Sequence, residues 1–120
     1  MSNKKVLVID DEDFIRELVK DFLDLKDIHC DAAEDANIAL KLYSETDYDL
    51  VLLDVNLGNS TAVEVLAKLK KVRTDTPILL LTGDPRYNEG FSDKIGANGV
   101  IFKPFQVDNF IKNIEEILER

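Results

Sequence analysis

Four short apolar runs in this chain each stop on a polar residue. Val6-Leu7-Val8-Ile9 stops at Asp10-Asp11, Leu50-Val51-Leu52-Leu53 at Asp54, Ile78-Leu79-Leu80-Leu81 at Thr82, and Val100-Ile101-Phe102 at Lys103-Pro104. Near-continuous apolar runs of this length suit strands covered on both faces. The stretches between them repeat at helical spacing, and strands alternating with helices predict an α/β domain with a parallel sheet. Crossovers in such sheets are right-handed, so every strand ends on the same edge. Three acids, a hydroxyl and an ammonium are thereby expected along one edge, where open α/β sheets bind their ligands.

The elements follow from the pattern. Strands are expected at residues 5–10, 28–33 (weak), 49–53, 78–82 and 99–102. The first helix should carry Phe14, Ile15, Leu18, Val19, Phe22 and Leu23 on one stripe. A second, over 37–44, should bury Ile38, Leu42 and Tyr43. A third carries Ala62, Val65, Leu66, Leu69 and Val72 in register, with Thr61 or Ser60 as N-cap. Segment 83–96 holds Gly83, Pro85, Gly90 and Gly96 and few apolar residues, which predicts a short or irregular helix. The last helix carries Val107, Phe110, Ile111, Ile114, Ile117 and Leu118. A chain of 120 residues is expected to form one domain, 1–120, around a single core.

Composition narrows the chemistry. A net charge of −9, from 24 acids against 15 bases, argues against direct nucleic-acid binding and against an anionic membrane. Cys30 is the single cysteine and His29 the single histidine, so no intrachain disulfide can form, and no Cys/His cluster is seen that would hold zinc or build a Ser/His or Cys/His catalytic pair. Cys30 is expected to be a buried small hydrophobe. The N-terminal Met1-Ser2-Asn3-Lys4-Lys5 leads into only four apolar residues, too few for a signal peptide or a membrane span, and a cytoplasmic address is expected.

Carboxylates gathered in one crevice repel by roughly 4 kcal/mol per pair at 4 Å and an effective dielectric near 20. Lys103 offsets part of this, and an oxygen-only site suits Mg²⁺ for the rest. Acids, a hard cation and a fixed ammonium together can hold a phosphoryl group. One carboxylate can attack phosphorus to give an aspartyl phosphate, and Thr82 can donate to a phosphoryl oxygen. Each residue alone has an ordinary explanation: helix-start acids at Asp10-Asp11, a strand-end cap at Asp54, a turn at Thr82-Gly83 and a solvated strand exit at Lys103-Pro104. Their convergence on one edge is what favours the site.

The set Val8-Ile9-Asp10-Asp11, Leu52-Leu53-Asp54, Leu81-Thr82-Gly83 and Phe102-Lys103-Pro104-Phe105 resembles the receiver domains of two-component response regulators over essentially the whole chain. The resemblance implies a flavodoxin-like, doubly wound sheet of five parallel strands ordered 2-1-3-4-5 and flanked by five helices. It implies Asp54 as phosphoacceptor, and Mg²⁺ held by Asp11 directly, Asp10 largely through water, Asp54, and a backbone carbonyl at Asn56. Thr82 and Lys103 would grip the phosphoryl oxygens, and Gly83 would leave the site open. The donor would be a phosphohistidine on a sensor histidine kinase or a histidine phosphotransfer protein. The output would be altered binding of a protein target through the fourth and fifth elements. Such a domain catalyses only its own phosphorylation and dephosphorylation, and is a signalling phosphoacceptor rather than an enzyme.

Three features depart from the family pattern. Val100 stands in the switch region where an aromatic is usual. Leu57-Gly58 replaces Met-Pro in the loop after the acceptor, with Gly58 expected to loosen it relative to proline and Ala62 at a later glycine position. The fourth helix region is one residue short. Val100 and the irregular fourth segment motivate an alternative, a degenerate receiver acting as an interaction module without phosphorylation-driven switching. An aspartate-nucleophile phosphatase would want an acid where Asn56 stands, and a dinucleotide binder would want a glycine-rich turn where Asp10-Asp11-Glu12-Asp13 stands. Asp84, two residues after Thr82, is either a charge that modulates phosphoryl lifetime or donor access, or a loop acid that turns the chain.

Overall fold

A computed structural model of the chain describes residues 3–119. Met1 and Ser2, at the start of the N-terminal stretch, and Arg120 lie outside the described residues. The chain runs β1 (Lys5–Ile9), α1 (Asp13–Asp24), β2 (His29–Ala33), α2 (Ala36–Glu45), β3 (Leu50–Asp54), β4 (Asn56–Leu57), β5 (Ser60–Thr61), α3 (Ala62–Val72), β6 (Ile78–Thr82), α4 (Glu89–Ile95), β7 (Val100–Phe102) and α5 (Val107–Leu118). β2, β1, β3, β6 and β7 form one sheet in that order, every neighbouring pair parallel. With these five counted in chain order, the arrangement is the expected 2-1-3-4-5.

Alternation along the strands divides the apolar residues between two faces. Val6, Val8, Leu50, Leu52, Leu79, Leu81 and Ile101 pack against α1 and α5. Leu7, Ile9, Val51, Leu53, Ile78 and Leu80 pack against α2 and α3, with Phe91 and Ile95 of α4 at the margin. β3 and β6 are buried at every position, which explains their unbroken apolar runs. Cys30 is buried, and burial pushes its thiol up to about 12, so it serves as the expected small hydrophobe. Among the described residues no helix is long and apolar enough to cross a membrane.

Three apolar residues assigned to buried stripes lie outside. Phe14 is 69% exposed. The buried line of α1 is Ile15, Val19 and Leu23, and at about 100° per residue Phe14 projects well to its side. In α2 the buried residues are Ala36, Ala39 and Tyr43, while Ile38 is exposed. The two alanines let this helix lie close to the sheet, and Tyr43 fills the remaining depth. Val72 ends α3, past the last turn that the sheet covers, and is also exposed.

Local capping agrees with the sequence. Thr61 Oγ1 accepts from Glu64 N (3.2 Å) and opens α3. The short α4 begins with Asn88 accepting from Phe91 N and ends at Gly96, whose φ of +87° is the left-handed cap conformation. Gly58 has φ +70° and, with Asn59, turns the small antiparallel pair β4–β5. The substitution for proline expected to loosen this loop instead builds a two-residue hairpin that needs a positive φ at its first turn position.

Arg73, just after α3, ties two helix ends together. Its guanidinium donates to the carbonyls of Tyr43 and Thr46 at the end of α2, pairs with Asp47 (3.1 Å) and lies over the Tyr43 ring at 4.5 Å. Arg73→Ala is expected to lower unfolding stability by roughly 1–3 kcal/mol, because part-buried carbonyls lose a charged donor. Arg73→Lys should recover only part of this, since an ammonium cannot form the same fork. Urea unfolding of the three proteins measures both effects.

Candidate functional site

The register of the sheet sets the strand ends level. Ile9 lies opposite Leu53, Asp54 opposite Leu81, and Thr82 opposite Phe102. The residues at or just beyond these ends therefore meet at the C-terminal edge, in an open cleft of about 960 Å³. Asp11, Glu12, Asp54, Asn56, Thr82, Gly83 and Lys103 all line it.

Asp10 is wholly buried. Its backbone N–H donates to Ala33 (3.1 Å), continuing the β1 line, and its Oδ1 accepts from Glu12 N (2.9 Å), which turns the chain into α1. Asp54, 5% exposed, ends β3 and accepts from Asn56 N at Oδ1 (3.2 Å). Lys103 is fixed by its own N–H, which donates to the Thr82 carbonyl (2.7 Å). Its ammonium lies 2.8 Å from Asp10, 3.2 Å from Glu12 and 3.6 Å from Asp54. Thr82 is 2% exposed, and its Oγ1 accepts from Asp84 N (3.0 Å), which leaves the hydroxyl proton free to be donated.

Carboxylate oxygens of Asp10, Asp11, Glu12 and Asp54 lie within 4.8 Å of one another. Glu12 is a member that sequence reasoning missed. An acid immediately before α1 reads as an ordinary helix-start charge, and only its meeting with Lys103, 91 residues away, places it in the site. The electrostatics follow from crowding. Burial, and then the Asp10 charge, push the Asp54 carboxyl up to about 7 against the pull of Lys103 and the Asn56 N–H. Burial opposes the Lys103 charge, but the hydrogen bond to Asp10 and the charges of Asp54 and Asp10 hold its pKa above the ordinary value.

Val100 is not among the cleft residues. It is half-buried against the α2/α3 side of the core, and its N–H donates to Glu89 of α4 (3.2 Å). A Cβ at Gly83 would meet only the Lys103 carbonyl, at 3.9 Å, so the backbone would accept alanine there. Asp84 does turn the chain, its carbonyl accepting from Tyr87 N (3.1 Å), and its carboxylate holds Arg86.

The Asp54 carboxyl titrates higher in the folded protein, near 7, than its ordinary value of 3.8. The stability tied to its protonated form is therefore complete below about 3.8 and is lost as pH rises through about 7. Without divalent cations, Asp54→Asn is expected to stabilise the protein by about 2 kcal/mol above neutrality, roughly half the unscreened value because the cleft is open to water. The gain should shrink steadily from pH 7 towards pH 4. Urea midpoints of both proteins in chelator, across that range, are the measurement; a gain independent of pH contradicts the electrostatic cause.

With this geometry in view, comparisons with known proteins are consistent among themselves. The family model described as the response regulator receiver domain matches residues 6–115. The transcriptional regulatory protein SrrA of Staphylococcus aureus is 33% identical over 123 residues, a match covering 100% of this chain and 49% of the relative. The chain thus spans about half the length of the curated relatives it matches. The chemotaxis protein CheY4 of Vibrio cholerae superposes with a TM-score of 0.88 at 28% identity, covering 97% of this chain and 99% of that one. The receiver domain of NtrX from Brucella abortus gives 0.88 at 32% identity, covering 95% and 98%. A sheet order, a strand-end cleft and a family match over nearly the whole length agree: the chain belongs to the response regulator receiver domains of two-component signalling.

Proposed function

We propose that the domain takes a phosphoryl group onto Asp54 from a phosphohistidine of a sensor histidine kinase or histidine phosphotransfer protein, and that this switches its binding to a protein target. The observation that carries the reading is the convergence of Asp54, Lys103 and Thr82 with the acidic cluster at one sheet edge. A cytoplasmic location suits such a donor.

The donor set fits Mg²⁺. Four carboxylates against one ammonium leave the cluster under-compensated, and all the ligand atoms are hard oxygens. Asp10, Asp11 and Asp54, with the backbone carbonyl of Asn56, would hold the cation. The chemistry supplied by bound Mg²⁺ is neutralisation of charge on the transferring phosphoryl oxygens.

The rest falls to the side chains. Asp54 Oδ1 is held by the Asn56 N–H and faces Lys103, so Oδ2 is the oxygen placed to bond phosphorus. As that bond forms, the bond from phosphorus to the donor imidazole nitrogen breaks, and the nitrogen keeps the electron pair. Lys103 exchanges carboxylate contacts for a phosphoryl oxygen. Thr82 donates its free hydroxyl proton to another, with Asp84 N still serving its lone pair until the side chain turns. Hydrolysis by water later returns Asp54 to its carboxylate.

Incubation with Mg²⁺ and a small phosphodonor such as phosphoramidate is expected to add one alkali-labile phosphoryl group by intact mass. The adduct should be absent in Asp54→Asn and suppressed by chelation. Wild-type protein that stays unmodified with several donors would overturn the assignment.

A further inference from the structure

Two cations line the cleft among the described residues, and only one is engaged with the acidic cluster. The other is Arg86. It sits in a turn, Asp84-Pro85-Arg86-Tyr87, closed by the hydrogen bond from Tyr87 N to the Asp84 carbonyl (3.1 Å). Acid at the first position and proline at the second suit such a turn, which holds Arg86 at the cleft rim. The guanidinium grips both oxygens of Asp84, with Nε at 3.1 and 3.0 Å and Nη2 at 2.6 Å. Asp84 in turn donates its backbone N–H to Thr82 Oγ1 (3.0 Å). Arg86 is therefore linked through one residue to the hydroxyl of Thr82, which lines the same cleft as Asp54.

A carboxylate offers a guanidinium the same two-oxygen face that a phosphoryl group does. We propose that Arg86 is a second phosphoryl-gripping cation, parked on Asp84 in the resting domain and transferred to the phosphoryl group on Asp54. The inference rests on Asp54 being the phosphoacceptor and adds a residue to that site. The exchange is favourable on physical grounds. The Asp84–Arg86 pair is open to solvent, with side-chain exposures of 32% and 83%, and such pairs contribute little net stability. Asp84 can return to water when released. Phosphorylation replaces the Asp54 carboxylate with a phosphoryl group of nearly two charges beside the three remaining carboxylates, with Lys103 as the sole ammonium among them.

The test is titration of the full chain with beryllium fluoride and Mg²⁺, a phosphoryl mimic on aspartate, read by ¹⁹F NMR. Arg86→Ala is expected to weaken formation of the complex about fivefold, the scale of one exposed charge-assisted contact. Arg86→Lys should restore part of the loss. Asp84→Asn should strengthen the complex by releasing Arg86, and that gain should vanish in the Asp84→Asn/Arg86→Ala double variant. A role confined to shaping the turn would not produce this dependence on residue 86. Arg86→Ala within about twofold of wild type, or a gain in Asp84→Asn that survives removal of Arg86, overturns the proposal. Absence of the complex in wild type and every variant alike marks failure of the phosphoacceptor reading itself, and takes this inference with it.

Discussion

Four carboxylates within 4.8 Å of one another would separate if loops alone carried them. They stay together because the strands beneath them are clamped on both faces. β3 is buried at all five positions, and β1 at every position from Val6 onward. A buried Leu or Ile side chain contributes about 1.5–3 kcal/mol, so the strand interiors outweigh the repulsion they hold in place at their ends. The parallel register then decides which end residues meet. A slip of one residue would turn every side chain to the other face and disperse the cleft.

Lys103 is the counter-charge that makes this arrangement tolerable in the resting domain. Its ammonium touches Asp10, Glu12 and Asp54 at once, while its backbone is hydrogen-bonded to the Thr82 carbonyl. The groups proposed to grip the phosphoryl group are thus wired together before it arrives. Away from the acids, α4 is a short helix of seven residues. It is held by an asparagine cap, by Phe91 and Ile95 packed at the margin of the α2/α3 core, by Lys70 donating to the Gly96 carbonyl (2.8 Å) and by the Glu89 carboxylate accepting from Val100 N (3.2 Å). Val100 donates its backbone N–H to the Glu89 carboxylate, so β7 and α4 are linked at this position without an aromatic ring.

Much of the fold was legible because its signals are local. Apolar runs of four, helical spacing, and caps such as Thr61 and Gly96 each report on neighbouring residues only. The weak second strand and the short fourth helix were legible for the same reason, through low apolar content and glycine. The errors came where a stripe had to be chosen without knowing what covers it. Phe14, Ile38 and Val72 are apolar and roughly in phase, yet the sheet reaches only the adjacent residues. In α2 two alanines lie against the sheet in preference to an isoleucine, because closeness of packing rather than side-chain hydrophobicity set the rotation of that helix.

The sequence by itself determined where the strands end and what stands there: Asp10, Asp11, Asp54, Thr82 and Lys103. Those positions follow from periodicity, and parallel topology brings them to one edge whatever their separation. The tertiary structure alone decided the pairings. Glu12 joins the site because Lys103 reaches it from 91 residues away. Gly58 forms a hairpin rather than a loose loop because its φ is positive. Arg86 borders the cleft because the Asp84–Tyr87 turn holds it there. Each of these depends on distances between side chains brought together by folding, and a distance through space is what a linear pattern of residue types does not encode.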